Sequence, residues 1–395
     1  MNPLSTTIPL SLYLHIPFCR HRCSYCDFNT YTTVGVLQSS YVTALEKEIK
    51  QIAELAADVR QLRPAQTLFF GGGTPSLLSE KQVGKLISAV QGSFGFRDDV
   101  EITLEANPET VGRDYLAAIH EAGVNRISLG MQSANIEELA LLGRTHGVET
   151  VIGAVHDVRA AGIKNINLDL IFGLPRQNMK AWEQSLRTAL DLKPPHLSLY
   201  CLTIEQGTPM QRWLQNGRIQ KPDPDLAAEQ YELACQILKQ AGYSHYEISN
   251  WALPGYECHH NLAYWRDQEY LGFGAGAHGK ASGYRYALVR QPRVYIRRIS
   301  KDETNVYPLS AAVAQAHTLD IHESMSDRVI TQLRLLEEGL DLEYFESQFG
   351  LTIDDAFNGV VGQLESWDLL RRDGGKLLLT ERGWFISNQV FYRFV

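Results

Sequence analysis

Apolar residues recur along this chain in two alternating rhythms. Short runs rich in β-branched and aromatic residues fall at 12–16, 67–70, 101–104, 126–131, 165–172 and 196–202, and their length and composition predict strands. Between them, at 41–59, 79–94, 113–122, 137–142, 148–160 and 182–192, apolar residues fall at three- and four-residue spacings, the period of a helix with one buried face. Strand and helix in strict alternation predict a parallel sheet with right-handed crossovers, because parallel neighbours need a long return connection. Six such repeats fit an incomplete (βα) barrel better than a flat sheet, although spacing alone leaves closure open.

The predicted fold class is therefore α/β, with the barrel over 1–221. A connecting region, 222–316, carries a helix near 226–241 and a dense segment at 243–279. The last unit, 317–395, reads as helices followed by a hairpin at 370–379 turning at Asp373-Gly374-Gly375, a smaller winged-helix-like α+β domain. Winged helices often bind DNA, yet Asp320 to Val395 hold 7 Lys and Arg against 14 Asp and Glu. That balance favours a capping role and no nucleic-acid partner.

Composition adds the setting. At 395 residues the chain holds two or three domains at about 150 residues each. With 44% hydrophobic and 21% charged residues it is a globular composition, which excludes disorder over most of its length. The net charge of -8 supplies no general attraction for nucleic acid or anionic lipid. No apolar run approaches the roughly 18 residues that span a bilayer, and Met1 to Leu10 lacks the regions of a secretory signal, so a cytoplasmic location is expected. In that compartment thiols stay reduced, and the six cysteines are candidates for ligands or buried apolar residues. Cys201, Cys235 and Cys258 are scattered. Cys19, Cys23 and Cys26 lie within eight positions, directly after the first strand.

Three thiolates at those spacings can hold three irons of a [4Fe-4S] cube and leave the fourth iron open to a ligand. Zinc is the rival, but a structural zinc site wants four ligands, usually as two separated pairs, and no second pair accompanies this one. Arg20, His21, Arg22, Ser24 and Asp27 make the loop polar, which argues against three merely buried cysteines. Other polar or glycine-rich features sit at or just past strand ends: Gly71-Gly72-Gly73-Thr74-Pro75, Glu105 with Asn107, Gln132-Ser133, Asp169 and Glu205. In parallel α/β folds those ends share one face, and that face holds the site.

The CxxxCxxC loop resembles the hallmark of the radical S-adenosylmethionine (SAM) superfamily. Tyr13-Leu-His15-Ile-Pro-Phe-Cys19, Gly71-Gly-Gly-Thr-Pro75, Leu104-Glu-Ala-Asn-Pro108, Asn125-Arg-Ile-Ser-Leu-Gly-Met-Gln-Ser133, Leu142-Gly-Arg-Thr-His146 and Asn167-Leu-Asp-Leu-Ile-Phe-Gly-Leu-Pro175 extend that likeness. Together they resemble the oxygen-independent coproporphyrinogen III oxidases and the related HemW-type heme chaperones, in order and spacing, over nearly the whole chain. The resemblance implies a [4Fe-4S] cluster on Cys19, Cys23 and Cys26. It also implies SAM contacts from Tyr13, Tyr25, Gly72, Gly73, Thr74, Glu105, Gln132, Arg144 and Asp169. Carboxylates suit ribose hydroxyls or the amino group, and Arg144 suits the SAM carboxylate. Either tyrosine can also be read as packing.

Within that family the oxidases carry a further cysteine after the third ligand, where this chain has Asp27, Phe28 and Asn29, and a longer arm than the 18 residues that precede Cys19 here. The segment Cys258-His-His260-Asn261-Leu-Ala-Tyr264-Trp265 resembles the HNxxYW stretch associated with heme binding in the chaperones. Neutral imidazole is a common heme ligand, and Tyr264 and Trp265 suit the face of a macrocycle. His260 is the implied ligand, with Cys258 and His259 as rivals. The resemblance thus implies a heme chaperone that holds heme, the cluster and SAM and delivers heme to acceptor hemoproteins. Respiratory membrane enzymes are the clients it suggests, met peripherally at the inner face of the membrane without an anchor. A coproporphyrinogen oxidase is the alternative, an activity the two departures disfavour. No catalytic residue is assigned.

Overall fold

The computed structural model describes residues 9–301 and 305–395. The expectation for the N-terminal segment falls, for residues 1–8, outside the described residues. Six parallel strands follow one another in the sheet in chain order: β1 (Leu10–Ile16), β2 (Ala65–Gly72), β3 (Phe96–Ala106), β4 (Arg126–Gln132), β5 (Asn165–Phe172) and β6 (His196–Cys201). The helices α1 (Gln38–Asp58), α2 (Glu80–Ser93), α3 (Arg113–Glu121), α4 (Ile136–Leu142), α5 (Val148–Ala160) and α6 (Met179–Asp191) make the returns. Several of their ends are written in the sequence. Ser79 and Gln82 form a reciprocal capping box on α2, Asn135 and Asn178 cap α4 and α6, and Gly143 at φ 72° ends α4.

Alternation within the strands decides what each face becomes. Leu12, Leu14, Leu68, Phe70, Ile102, Leu104, Ile127, Leu129, Leu168 and Leu197 are fully buried and form the core beneath the helices. The intervening positions face the barrel interior and are largely polar: Thr67, Glu101, Glu105, Arg126, Ser128, Asn167, Asp169, His196 and Ser198. A lumen lined this way must be filled by hydrogen-bonded partners.

The barrel does not close. Among the described residues its sheet runs to twelve strands, in the order β12-β11-β10-β9-β1-β2-β3-β4-β5-β6-β8-β7. The added strands are β7 (Ser244–Glu247), β8 (Asn250–Ala252), β9 (Tyr270–Phe273), β10 (His278–Ala281), β11 (Tyr284–Leu288) and β12 (Val313–Thr318). Residues 222–316, read from the sequence as a connecting region, thus extend the barrel sheet at both edges, and one core reaches from Leu10 to Ala312. The boundary placed at 316/317 falls inside β12. Between β6 and the end of the sheet lie α7 (Pro209–Gln215), α8 (Pro224–Gln240), α9 (His259–Trp265) and α10 (Pro292–Ser300).

A second core gathers Val329, Leu333, Phe345, Val361, Leu364 and Leu377. It lies among α11 (Ile321–Gln332), α12 (Leu342–Phe349), the short helices 353–356 and 360–366, and a three-stranded sheet. That sheet orders β13 (Leu340–Asp341), β15 (Lys376–Leu379) and β14 (Leu370–Asp373), with the hairpin turning at Gly374-Gly375. Helix, strand, helices and hairpin in that order make the winged-helix-like pattern the sequence suggested.

Candidate functional site

The cysteine loop leaves β1 at Pro17 and is tied down chiefly by backbone. Tyr31 N donates to Pro17 O at 2.8 Å, Cys19 N to Tyr31 O at 3.1 Å, Gly73 N to Ile16 O at 2.9 Å and Thr74 N to Phe18 O at 2.8 Å. Across the loop, Ser24 N reaches Leu142 O at 3.1 Å and Ser24 Oγ reaches Leu141 O at 2.6 Å, so the last turn of α4 holds its far side. The glycine run serves this docking. A Cβ on Gly73 would stand 2.7 Å from Phe18 O and 2.8 Å from Ile16 O, and one on Gly72, at φ 110°, would meet the His15 ring at 2.4 Å.

All three thiols line one cavity of about 440 Å³ at the C-terminal ends of the strands, together with Tyr25, Gly72, Gly73, Thr74, Glu105, Gln132, Arg144, Asp169 and Asn261. Thr74 Oγ1 donates to Cys19 Sγ at 3.6 Å. Burial raises the Cys19 thiol and pushes Cys26 up to about 11, so thiolates there need a cation to hold them. Among the described residues no three His, Cys, Asp or Glu side chains gather tightly enough for a single metal ion.

Two carboxylates face the same space. Gly72 N donates to Glu105 at 3.1 Å, while Ser128 and Asn167 donate to Asp169 at 3.0 and 2.8 Å. Burial first, then the neighbouring Asp169, pushes Glu105 up to about 7, and burial raises Asp169 despite its donors. Arg144 Nη1 donates to Asn107 Oδ1 at 2.6 Å, yet its Nε is buried with no partner. Gln132 sits at φ 65° on a bulge at the end of β4, a strained conformation for a side-chain-bearing residue and one often held at ligand sites. The cavity therefore offers two buried carboxyls beside an unmet guanidinium donor.

Helix α9 fills the lumen beneath. Its first turn is capped by a side chain from the barrel wall: Glu101 on β3 accepts from the backbone of His259 and His260, each at 3.1 Å. His260 is buried, with Nδ1 2.7 Å from Thr67 Oγ1, Nε2 2.8 Å from Tyr264 Oη and its ring stacked on Phe69. Desolvation lowers it to about 3, so the ring is neutral, and both its nitrogens are engaged. Cys258 is buried and pushed up to about 12. His259 is exposed and faces the opposite, N-terminal end of the strands beside Ser11 and Thr67.

Tyr264 and Trp265 line a second, larger cavity of about 910 Å³. It shares Phe28, Gly72 and Glu105 with the first and is also lined by Tyr13, His15, Tyr270, His278, Lys280, Arg285 and Arg290. Of the residues assigned to SAM, Tyr13 stands here, its hydroxyl 3.0 Å from His15 Nδ1.

Residues 13–189 match the radical SAM superfamily and residues 319–386 the HemN C-terminal domain. The chain is 36% identical over 98% of its length to the heme chaperone HemW of Bacillus subtilis, covering 99% of that protein, and 44% identical over 69% to HemW of Escherichia coli, covering 71%. The chain belongs to the radical SAM, HemN-like family, in its HemW branch. The solved coproporphyrinogen III oxidase HemN of Escherichia coli, described as a radical SAM enzyme, superposes with a TM-score of 0.83 at 25% identity, over 98% of this chain and 90% of that one.

Several residues that shape the site were given no role from the sequence, although Arg126, Ser128 and Asn167 lie inside the quoted motifs. Glu101, Arg126, Ser128, Asn167 and His196 stand in the lumen, with His196 Nδ1 2.6 Å from Asn167 Oδ1. Their signal was present as polar residues at every second position of strands otherwise apolar. Arg126 carries a second buried, unpartnered Nε on the cavity wall.

Proposed function

We propose that this chain is a heme chaperone of the HemW type, which binds heme and passes it to acceptor hemoproteins. The observation that carries this reading is the 36% identity to a HemW chaperone across both full chains. Supporting it, Cys19, Cys23 and Cys26 would hold a [4Fe-4S] cluster. SAM would lie along Gly72, Gly73, Thr74, Glu105, Gln132, Arg144 and Asp169. The fit is electrostatic as well as steric: a ligand bearing a sulfonium and an amino group answers Glu105 and Asp169, and its carboxylate answers the unpartnered Arg144 Nε. When bound, the cluster and SAM supply one-electron chemistry at the open iron. The protein's own part is to hold the loop rigid, orient the ligand and shield it between α9 and the strand ends.

Heme delivery implies an acceptor surface, and membrane-bound respiratory enzymes approached from the cytoplasmic side are the clients this reading favours. Among the described residues no helix is long and apolar enough to cross a membrane. The likeness to HemN favours a second reading, coproporphyrinogen oxidation. The deciding experiment runs both assays on anaerobically reconstituted protein. Heme transfer to apo-acceptor without protoporphyrinogen formation is the expected result. Multiple-turnover conversion of coproporphyrinogen, with release of carbon dioxide, would replace the chaperone reading by the oxidase one.

A further inference from the structure

An imidazole that ligates heme iron must have a nitrogen with a lone pair to give. Two histidines line the larger cavity, His15 and His278, and His260 lies behind Tyr13, ring centroids 6.4 Å apart. His15 has Nδ1 3.0 Å from Tyr13 Oη and Nε2 3.0 Å from Asn29 O, and both nitrogens of His260 are engaged by Thr67 and Tyr264. His278, at the start of β10, is exposed on the cavity wall and makes no side-chain hydrogen bond among the described residues. Burial, then the nearby guanidiniums of Arg285 and Arg290, holds its ring below the usual histidine range and therefore neutral.

The remaining walls suit the same guest. Phe28, an aromatic 63% exposed at the border of the two cavities, faces the space with Tyr264, Trp265, Tyr270 and Leu288. About 910 Å³ lies at the upper end of the roughly 300–1,000 Å³ of small-molecule sites, large enough for a macrocycle. Cations rim it. Lys280 and Arg285 are paired with Asp267 and Asp327, whereas the Arg290 side chain meets the neutral Asn29, Nε to Oδ1 at 3.4 Å. Arg290 is thus the guanidinium with capacity for a carboxylate.

We propose that this cavity is the heme seat, that His278 and not His260 supplies the nitrogen to iron, and that Arg290 holds a propionate. The inference rests on the chaperone reading and deepens it. The HNxxYW-like segment then acts as a support: His260 locks α9 through Thr67 and Tyr264, so that Tyr264 and Trp265 stand as the wall the macrocycle lies against.

The test uses cluster-loaded, full-length protein with three probes: ferric heme, metal-free protoporphyrin IX, and heme dimethyl ester, which lacks the carboxylates. His278→Ala should weaken ferric heme about tenfold or more and shift the Soret band, yet leave metal-free protoporphyrin within about twofold. Arg290→Gln should weaken heme about tenfold and leave the dimethyl ester unchanged, the cost of one charge-assisted hydrogen bond. His260→Gln should keep the Soret position of the parent. If the parent binds heme but His278→Ala keeps its spectrum and affinity, the assignment to His278 is overturned; a Soret shift in His260→Gln alone overturns it in favour of His260. A parent that binds no heme at all removes the chaperone reading itself.

Discussion

Replacing Gly73 by Ala separates two roles that a glycine run can play, docking a loop and clearing room for a ligand. The φ of Gly73 lies outside the left-handed region, so alanine can adopt its backbone, and the effect is purely one of space. The added methyl would stand 2.7 and 2.8 Å from the carbonyl oxygens of Phe18 and Ile16, and both are backbone atoms of the segment that leads to Cys19. They accept from Thr74 N and Gly73 N, so moving them apart lengthens two hydrogen bonds that dock the loop. Overpacking of this kind costs about 1–3 kcal/mol, roughly a five- to 150-fold shift away from the docked loop. Iron and sulfide content after anaerobic reconstitution, and the rate of iron loss to a chelator, read this directly. We expect lower content and faster loss in Gly73→Ala. Gly153→Ala is the control, because Gly153 is exposed in α5 with nothing within 4 Å and should stabilise by up to about 1 kcal/mol. Full cluster content and parental chelation kinetics in Gly73→Ala would refute the docking role and return the glycine to ligand clearance alone.

Cys23→Ser should abolish a stable four-iron cluster, while replacing Cys235 of α8, whose sulfur lies 4.0 Å from His245 of β7, by Ser should leave it intact; iron analysis decides. Glu105 gives a pH dependence. A carboxyl raised to about 7 in the fold contributes stability that is fully present below its unfolded value of 4.5 and is lost as pH rises through about 7. Without SAM, the parent should therefore fall relative to Glu105→Gln across that window, by at most about 3 kcal/mol. Parallel melting curves from pH 4.5 to 8 would show that Glu105 is not strained.

Strong periodicity over enough residues made much of the fold readable. The runs at 165–172 and 148–160 are the observed bounds of β5 and α5, because eight and thirteen residues carry an unambiguous rhythm. The strands β7 to β10 run to four residues at most, too short for a rhythm, and they pair only because β1 and β6 present open edges to them. The cysteine spacing told which thiols share a cavity, since it is local. What the spacing could not tell is what each neighbour touches. Gly73 reads as open space until the Phe18 carbonyl is seen against it, and His260 reads as a free imidazole until Thr67, from far earlier in the chain, is found on its nitrogen.

That last contact explains how one short helix comes to matter to both cavities. Asn261 borders the smaller cavity, while Tyr264 and Trp265, three and four residues on and so one turn along the same face of the helix, wall the larger. The helix has seven residues and cannot be stable on its own. It is held at one end by Glu101 beneath its first amides and in the middle by His260 between Thr67 and Tyr264. At the other end it is held by Arg334 over the Trp265 ring at 4.3 Å and by the Arg266–Glu338 pair at 2.6 Å. Loss of any of these supports would loosen both walls together. On the proposed reading, substitution along this segment should weaken heme and SAM binding even where the residue replaced touches neither ligand.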